Sequence, residues 1–185
     1  MIKFFGLLSK KNKVNLSDTI EIYCQALDEV ITNGFVEIKG FINNNNNLEN
    51  NPNLTGADVK WFRLIIYLGN LNLLKSSFEE DEVFALRNLI LDKMFAELST
   101  DDKLIAVERF LDYEKYFNDL LLQHNVEIDA MAYAVFEKYN INEFQGALFK
   151  RKNKPNPIFL SEMKNLLKHF LWNWKDYLAK NKLNF

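Results

Sequence analysis

Residues 17–34 read SDTIEIYCQALDEVITNG. Apolar side chains recur at Ile20, Tyr23, Cys24, Leu27 and Ile31. Steps of three and four place them on one face of a helix. Ser17 and Asp18 stand before the stripe, and Asp18 with Glu21 has the spacing of a capping box. Gly34 reads as the stop. The next residues, FVEIKGFI at 35–42, alternate in part as a strand would, yet Phe35, Ile38, Phe41 and Ile42 also fit a short helix. A lone strand would lack a partner, so helix is the preferred reading.

The same pattern repeats along the chain. After an Asn-rich loop at 43–55, Thr55 and Asp58 open a helix through Val59, Phe62, Ile66, Leu73 and Leu74, with Gly69 inside it as a point of close packing or a kink. Ser77 with Glu80 caps a helix marked by Val83, Leu86, Leu89, Ile90, Met94 and Leu98. Thr100, Asp101 and Asp102 start another that runs to about His124. Its apolar residues lie nearly all round, which predicts a central position. A shorter helix follows over Asn125 to Tyr139, then a stub from Asn140 to near Phe149. A basic linker spans 150–156; Asn156 as N-cap and Pro157 at the first turn begin the final helix. Its stripe is Leu160, Met163, Leu167, Phe170, Leu171, Trp174 and Leu178. No repeat of 20–50 residues is visible. The expectation is an all-α fold, one compact domain of seven or eight helices over residues 17–185, with no sheet.

Composition agrees. Only 6 Gly and 3 Pro interrupt a chain of 185 residues, and 48% of it is hydrophobic, with 16 Phe, 7 Tyr and 3 Trp. Such a chain can bury a sizeable core, which excludes general disorder. The single Cys24 sits on an apolar stripe and reads as a buried thiol. With no paired cysteine, the expected setting is the reducing cytoplasm.

The first residues, MIKFFGLLSKKNK, combine Phe4, Phe5, Leu7 and Leu8 with Lys3, Lys10, Lys11 and Lys13. The apolar run is shorter than the roughly 7–15 residues of an export signal, and no small-residue cleavage site follows. Leu64 to Leu74, the longest uncharged apolar stretch, contains Asn70 and Asn72 and falls short of the about 20 residues a bilayer needs. No lipidation motif is present. Segment 1–16 is expected to fold back on the core. The alternative is attachment to an anionic membrane, where the lysines contribute about 1 kcal/mol each.

Formal charge is uneven: +4 over residues 1–17, −13 over 18–143 and +7 over 144–185. Internal complementarity between ends and middle is one reading; partner recognition is the other. The middle suits a basic partner.

Motifs for chemistry are sparse. His124 and His169 are the two histidines, and neither belongs to an HExxH or a Glu-x-x-His pair. The phosphate-loop pattern GxxxxGK[ST] is absent, as are GxGxxG and GxSxG. No cofactor or metal is expected. The acidic Glu79 to Glu82 matches the positive end of a helix dipole. Lys150, Arg151, Lys152 and Lys154 form the densest cationic run, a solvated linker or a phosphate contact. On a continuous last helix Trp172 would lie about 200° from Trp174, beside Lys168 and His169 on a polar face. There it is either covered by another segment or a contact residue.

These observations favour a cytoplasmic, non-enzymatic helical protein, monomeric or homodimeric, that binds another protein as an adaptor or toxin-neutralising factor. Trp172, His169, Lys168, Lys150, Arg151, Lys152 and Lys154 are its candidate binding residues. The alternative is non-specific nucleic-acid or anionic-membrane binding through the basic ends.

Overall fold

A computed structural model describes residues 11–185. Among them the chain forms eight α-helices around one hydrophobic core. The first is α1, Leu16–Asn43, a single helix of 28 residues. Its buried face is Ile20, Tyr23, Cys24, Leu27, Ile31, Phe35, Ile38 and Ile42. The three-and-four spacing runs on past residue 34, so the expected stop at Gly34 does not occur. The glycine has another use. A Cβ there would lie 2.6 Å from Phe170 Cζ, so the missing side chain makes room for that ring. The N-cap is Asn15, whose side chain accepts from Ser17 N, in place of the expected Asp18–Glu21 box.

Residues 44–55 are the Asn-rich loop. The Asn43 side chain holds its far end, donating to Leu54 O at 2.9 Å and accepting from Leu54 N at 2.8 Å. Thr55 and Asp58 make the expected reciprocal cap, on a 3-10 turn at Gly56–Asp58 that leads into α2, Val59–Leu73. Next come α3, Glu80–Met94, and α4, Thr100–His124. Their N-caps are Glu79 and Ser99, each one residue off the expected start or more. Then follow α5, Glu127–Lys138, α6, Ala147–Lys152, α7, Pro157–Leu167, and α8, Trp174–Lys180.

The predicted central helix is the wrong one. In α5, Ala130, Met131, Ala132, Ala134, Val135 and Phe136 are all buried, and α2, α4 and α7 pack around it. Alanines let three helices approach closely; α4 is longer but peripheral, and it leaves Leu104 68% and Leu122 78% exposed. Gly69 of α2 serves the closest approach to α5, since a Cβ there would come 2.3 Å from Met131 Sδ.

Two further differences matter for function. The last helix is broken: α7 ends in a 3-10 turn at Lys168–Phe170, residues 171–173 are non-helical, and α8 begins at Trp174. Buried Asn70 of α2 clamps the break. Its Nδ2 donates to Phe170 O at 2.9 Å and to Ile66 O at 2.9 Å, and its Oδ1 accepts from Trp172 N at 2.7 Å. One amide therefore satisfies two backbone groups that the lost helix would leave unpaired. A small parallel sheet also forms, where none was expected. Strand β1, Asn12–Asn15, pairs with β2, Asn181–Asn184, with Val14 opposite Leu183. The partners lie at opposite ends of the sequence, so no local hairpin signal announces them.

Asparagine has a structural reason to be common. Asn15, Asn156 and Asn173 cap helix N-termini with side-chain acceptors. Asn53, Asn125, Asn140 and Asn153 take the left-handed conformation, while no described glycine has a positive φ. Asn does here what Gly does in most C-caps.

Candidate functional site

The residues that the sequence nominated fall into two separate clusters. Lys168 and His169 are exposed on the 3-10 turn after α7. Lys168 Nζ donates to Asn165 Oδ1 at 3.0 Å, and His169 borders an open cleft against the Asn44–Asn47 turn. Trp172 is half-buried in the break that Asn70 clamps. The ring meets Tyr23 edge-on at 5.5 Å and lies 6.0 Å from both Trp174 and Tyr177. The helical-face argument for Trp172 therefore does not apply, because the residue is not on a helix. Its own chain covers much of it. Whether residues 1–10 add to that cover lies outside the described residues, as do Lys3, Phe4, Phe5, Leu7, Leu8 and Lys10.

The predicted basic linker is half helix. Lys150, Arg151 and Lys152 form the last turn of α6, and Asn153 ends it with φ 48°. Lys150 is engaged by Glu143, 2.7 Å from its Oε2 and 3.2 Å from its carbonyl. Arg151, Lys152 and Lys154 are exposed. Lys154 O accepts from the buried Gln145 amide at 3.0 Å, which ties the linker backbone to the core.

A more developed site lies elsewhere, on the side of α2 turned away from the core. In α2, Phe62, Ile65 and Ile66 are buried, whereas Trp61 keeps 43% of its surface exposed. Trp61 and Leu64 share a face. That face and the middle of α4 line a groove of about 610 Å³, together with Met94 at the end of α3, Phe95 after it and Lys138 of α5. Phe110 and Tyr113 form the floor, both buried. They are buried because α4 turns its 110, 113, 117, 120 face to the core. Helices α3 and α4 are linked by polar pairs, Arg87 with Glu114 at 2.7 Å and Lys103 with Asp92 at 3.0 Å.

Lys138 lies among the aromatic rings of the groove. Its Nζ is 4.1 Å from the centroid of Trp61, 4.4 Å from Tyr113 and 5.8 Å from Tyr116. An ammonium among aromatic faces is held by their quadrupoles. Burial lowers the Lys138 pKa, and Glu137 partly opposes that shift. Tyr116 donates its hydroxyl to Glu137 Oε2 at 2.5 Å, and burial, the hydrogen bond and the Glu137 charge all push its pKa up. Tyr113 is raised too, chiefly by burial. Its hydroxyl is buried with no hydrogen-bond partner. At the rim, Arg63 pairs with Asp28 at 2.8 Å, while Lys60, Arg109 and Lys138 have no ion-pair partner among the described residues. Asp112 is the one carboxylate in the lining.

Sequence reasoning overlooked Trp61, although the signal was available. It stands beside Phe62 of the apolar stripe, about 100° round the helix. Unlike Trp172, Trp61 lies on a continuous helix, so its place off the apolar stripe turns it away from the core. Comparison of the chain with protein-family models, with curated proteins and with solved structures finds no match.

Proposed function

We propose that the protein is a binding module whose groove between α2 and α4 receives an apolar segment of a partner protein. One observation carries the reading: Trp61 stands 43% exposed beside a groove of about 610 Å³ that the chain's own side chains leave open. Trp anchors are enriched among the residues that dominate interface energy, and pockets bounded by rigid helices hold them with little ordering cost. The rim cations Lys60, Arg63 and Arg109 would steer and orient the segment. An adaptor or neutralising role fits this use. Free, buried Cys24 suits a reducing compartment such as the cytoplasm. No helix among the described residues is long and apolar enough to cross a membrane.

The test is affinity capture from native lysate with the wild type, Trp61→Ala and Trp172→Ala, each checked by circular dichroism. The reading expects a captured protein that Trp61→Ala loses and Trp172→Ala keeps. Removing a central Trp anchor costs about 2 kcal/mol or more, roughly thirty-fold in affinity. Equal eluates from the wild type and Trp61→Ala would reject the groove as the binding surface.

A further inference from the structure

Three regions offer unassigned binding capacity. The outer line of α4, Leu104, Leu111 and Leu122, is exposed, but nothing in the structure indicates what covers it. Tyr23, Trp172 and Trp174 pack together with buried polar atoms left unpartnered, yet their rings fill the space between them. The groove around Lys138 and Tyr113 goes further, because charge, shape and an orphaned hydrogen-bond donor meet there.

We infer that the segment received by the groove presents a carboxylate beside an apolar side chain, with Lys138 and Arg109 receiving the carboxylate and Trp61 and Leu64 the apolar group. This deepens the proposed protein-binding function and rests on it. Four cations line the groove, Lys60, Arg63, Arg109 and Lys138, against Asp112, and Arg63 is already paired with Asp28. Glu137, next to Lys138, accepts from the Tyr116 hydroxyl, and Lys60, Arg109 and Lys138 have no ion-pair partner among the described residues. Cation–π contact holds Lys138 in place without giving its N–H groups an acceptor. The Tyr113 hydroxyl, on a residue 6% exposed, likewise lacks one. An acceptor-only anion is the chemistry that both groups lack. A cationic segment would meet like charge at each of these positions. A wholly neutral one would desolvate the Lys138 ammonium with nothing in return.

The net charge of the middle of the chain points the other way. Residues 18–143 sum to −13, which suggested a basic partner. Much of that charge is spent at helix starts: Asp18 in α1, Glu80, Asp81 and Glu82 in α3, Asp101 and Asp102 in α4. The groove is a local exception, and recognition follows local charge.

Two fluorescent probes share one ring system and differ in charge: anilinonaphthalene sulfonate is an anion, and N-phenylnaphthylamine is neutral. Titration of the full-length protein with each reports both parts of the inference. The wild type should bind the sulfonate more tightly. Lys138→Met keeps an unbranched side chain one atom shorter and removes the charge; it should weaken the sulfonate about tenfold and leave the neutral probe unchanged or stronger. Lys138→Arg should restore sulfonate binding, and Trp61→Ala should weaken both probes. Equal affinity of the two probes, with Lys138→Met affecting neither, would overturn the anionic class while leaving an apolar groove. Indifference of both probes to Trp61→Ala would overturn the groove itself. Circular dichroism melts of each variant identify any loss that comes from unfolding.

Discussion

The two faces of α2 are made from neighbouring residues and do opposite things. On the inner face, Phe62, Ile65, Ile66 and Asn70 are buried, and Gly69 brings α5 so close that a methyl group would collide with Met131. Every polar atom of the Asn70 amide is used. On the outer face, Lys60, Trp61, Arg63 and Leu64 border open space, and the Tyr113 hydroxyl of neighbouring α4 has no hydrogen-bond partner. A packed, satisfied face stabilises a fold. A face with unused polar groups and an exposed ring holds interaction capacity in reserve. The comparison separates the stability of this protein from its binding, and substitutions on one face should not disturb the other.

The largest effect is expected from Asn70→Ala. It orphans Phe170 O and Trp172 N in the interior, at about 1–3 kcal/mol for each group left unpaired. For a chain of this size each kcal/mol lowers the melting temperature by about 2–4 °C. A thermal melt checks it. A variant that melts with the wild type would show that the α7–α8 break does not depend on the clamp. Gly69→Ala comes next. Overpacking costs about 1–3 kcal/mol, offset by about 1 kcal/mol of helix propensity. Combining it with Met131→Ala should cost less than the sum of the single changes, because the truncated side chain vacates the disputed volume. Strict additivity in urea titrations would contradict the close approach.

Smaller effects belong to pH and to the outer face. Burial, then the Asp28 charge, pushes the Cys24 thiol from about 9 up to about 11. The folded chain therefore holds this proton where the unfolded chain has released it. The resulting stability is complete below pH 9 and is lost as pH rises toward 11. Cys24→Val should flatten that part of the stability profile. At pH 8 the native thiol should react with a disulfide reagent far more slowly than the denatured chain. The outer face should contribute least. Arg63→Ala breaks an ion pair whose side chains are 43% and 39% exposed, so urea titration should find a change within about 1 kcal/mol. Trp61→Ala should likewise spare the melt while removing groove binding. If Trp61→Ala instead destabilised the protein as much as Asn70→Ala, the division between the two faces would be wrong.

What the sequence determined is the set of helices and most of the side chains they bury. Periodicity is local, so the stripes of α1, α2 and α3 could be read directly, as could Thr55–Asp58 and Asn156–Pro157 at helix starts. A buried Cys24 followed from the same stripe. What tertiary structure decided depends on residues far apart in the chain. Gly34 looks like a stop until Phe170 is seen to lie over it. Phe170 to Asn173 looks helical until Asn70, about a hundred residues earlier, supplies better partners for two backbone groups. The terminal strands have no meaning until they meet. Trp172 and Trp61 carry the same local signal, a large ring off the stripe. Only packing separated them, because coverage is a property of what neighbouring elements bring: Tyr23, Trp174 and Tyr177 close over one ring, while the other stands beside an open groove.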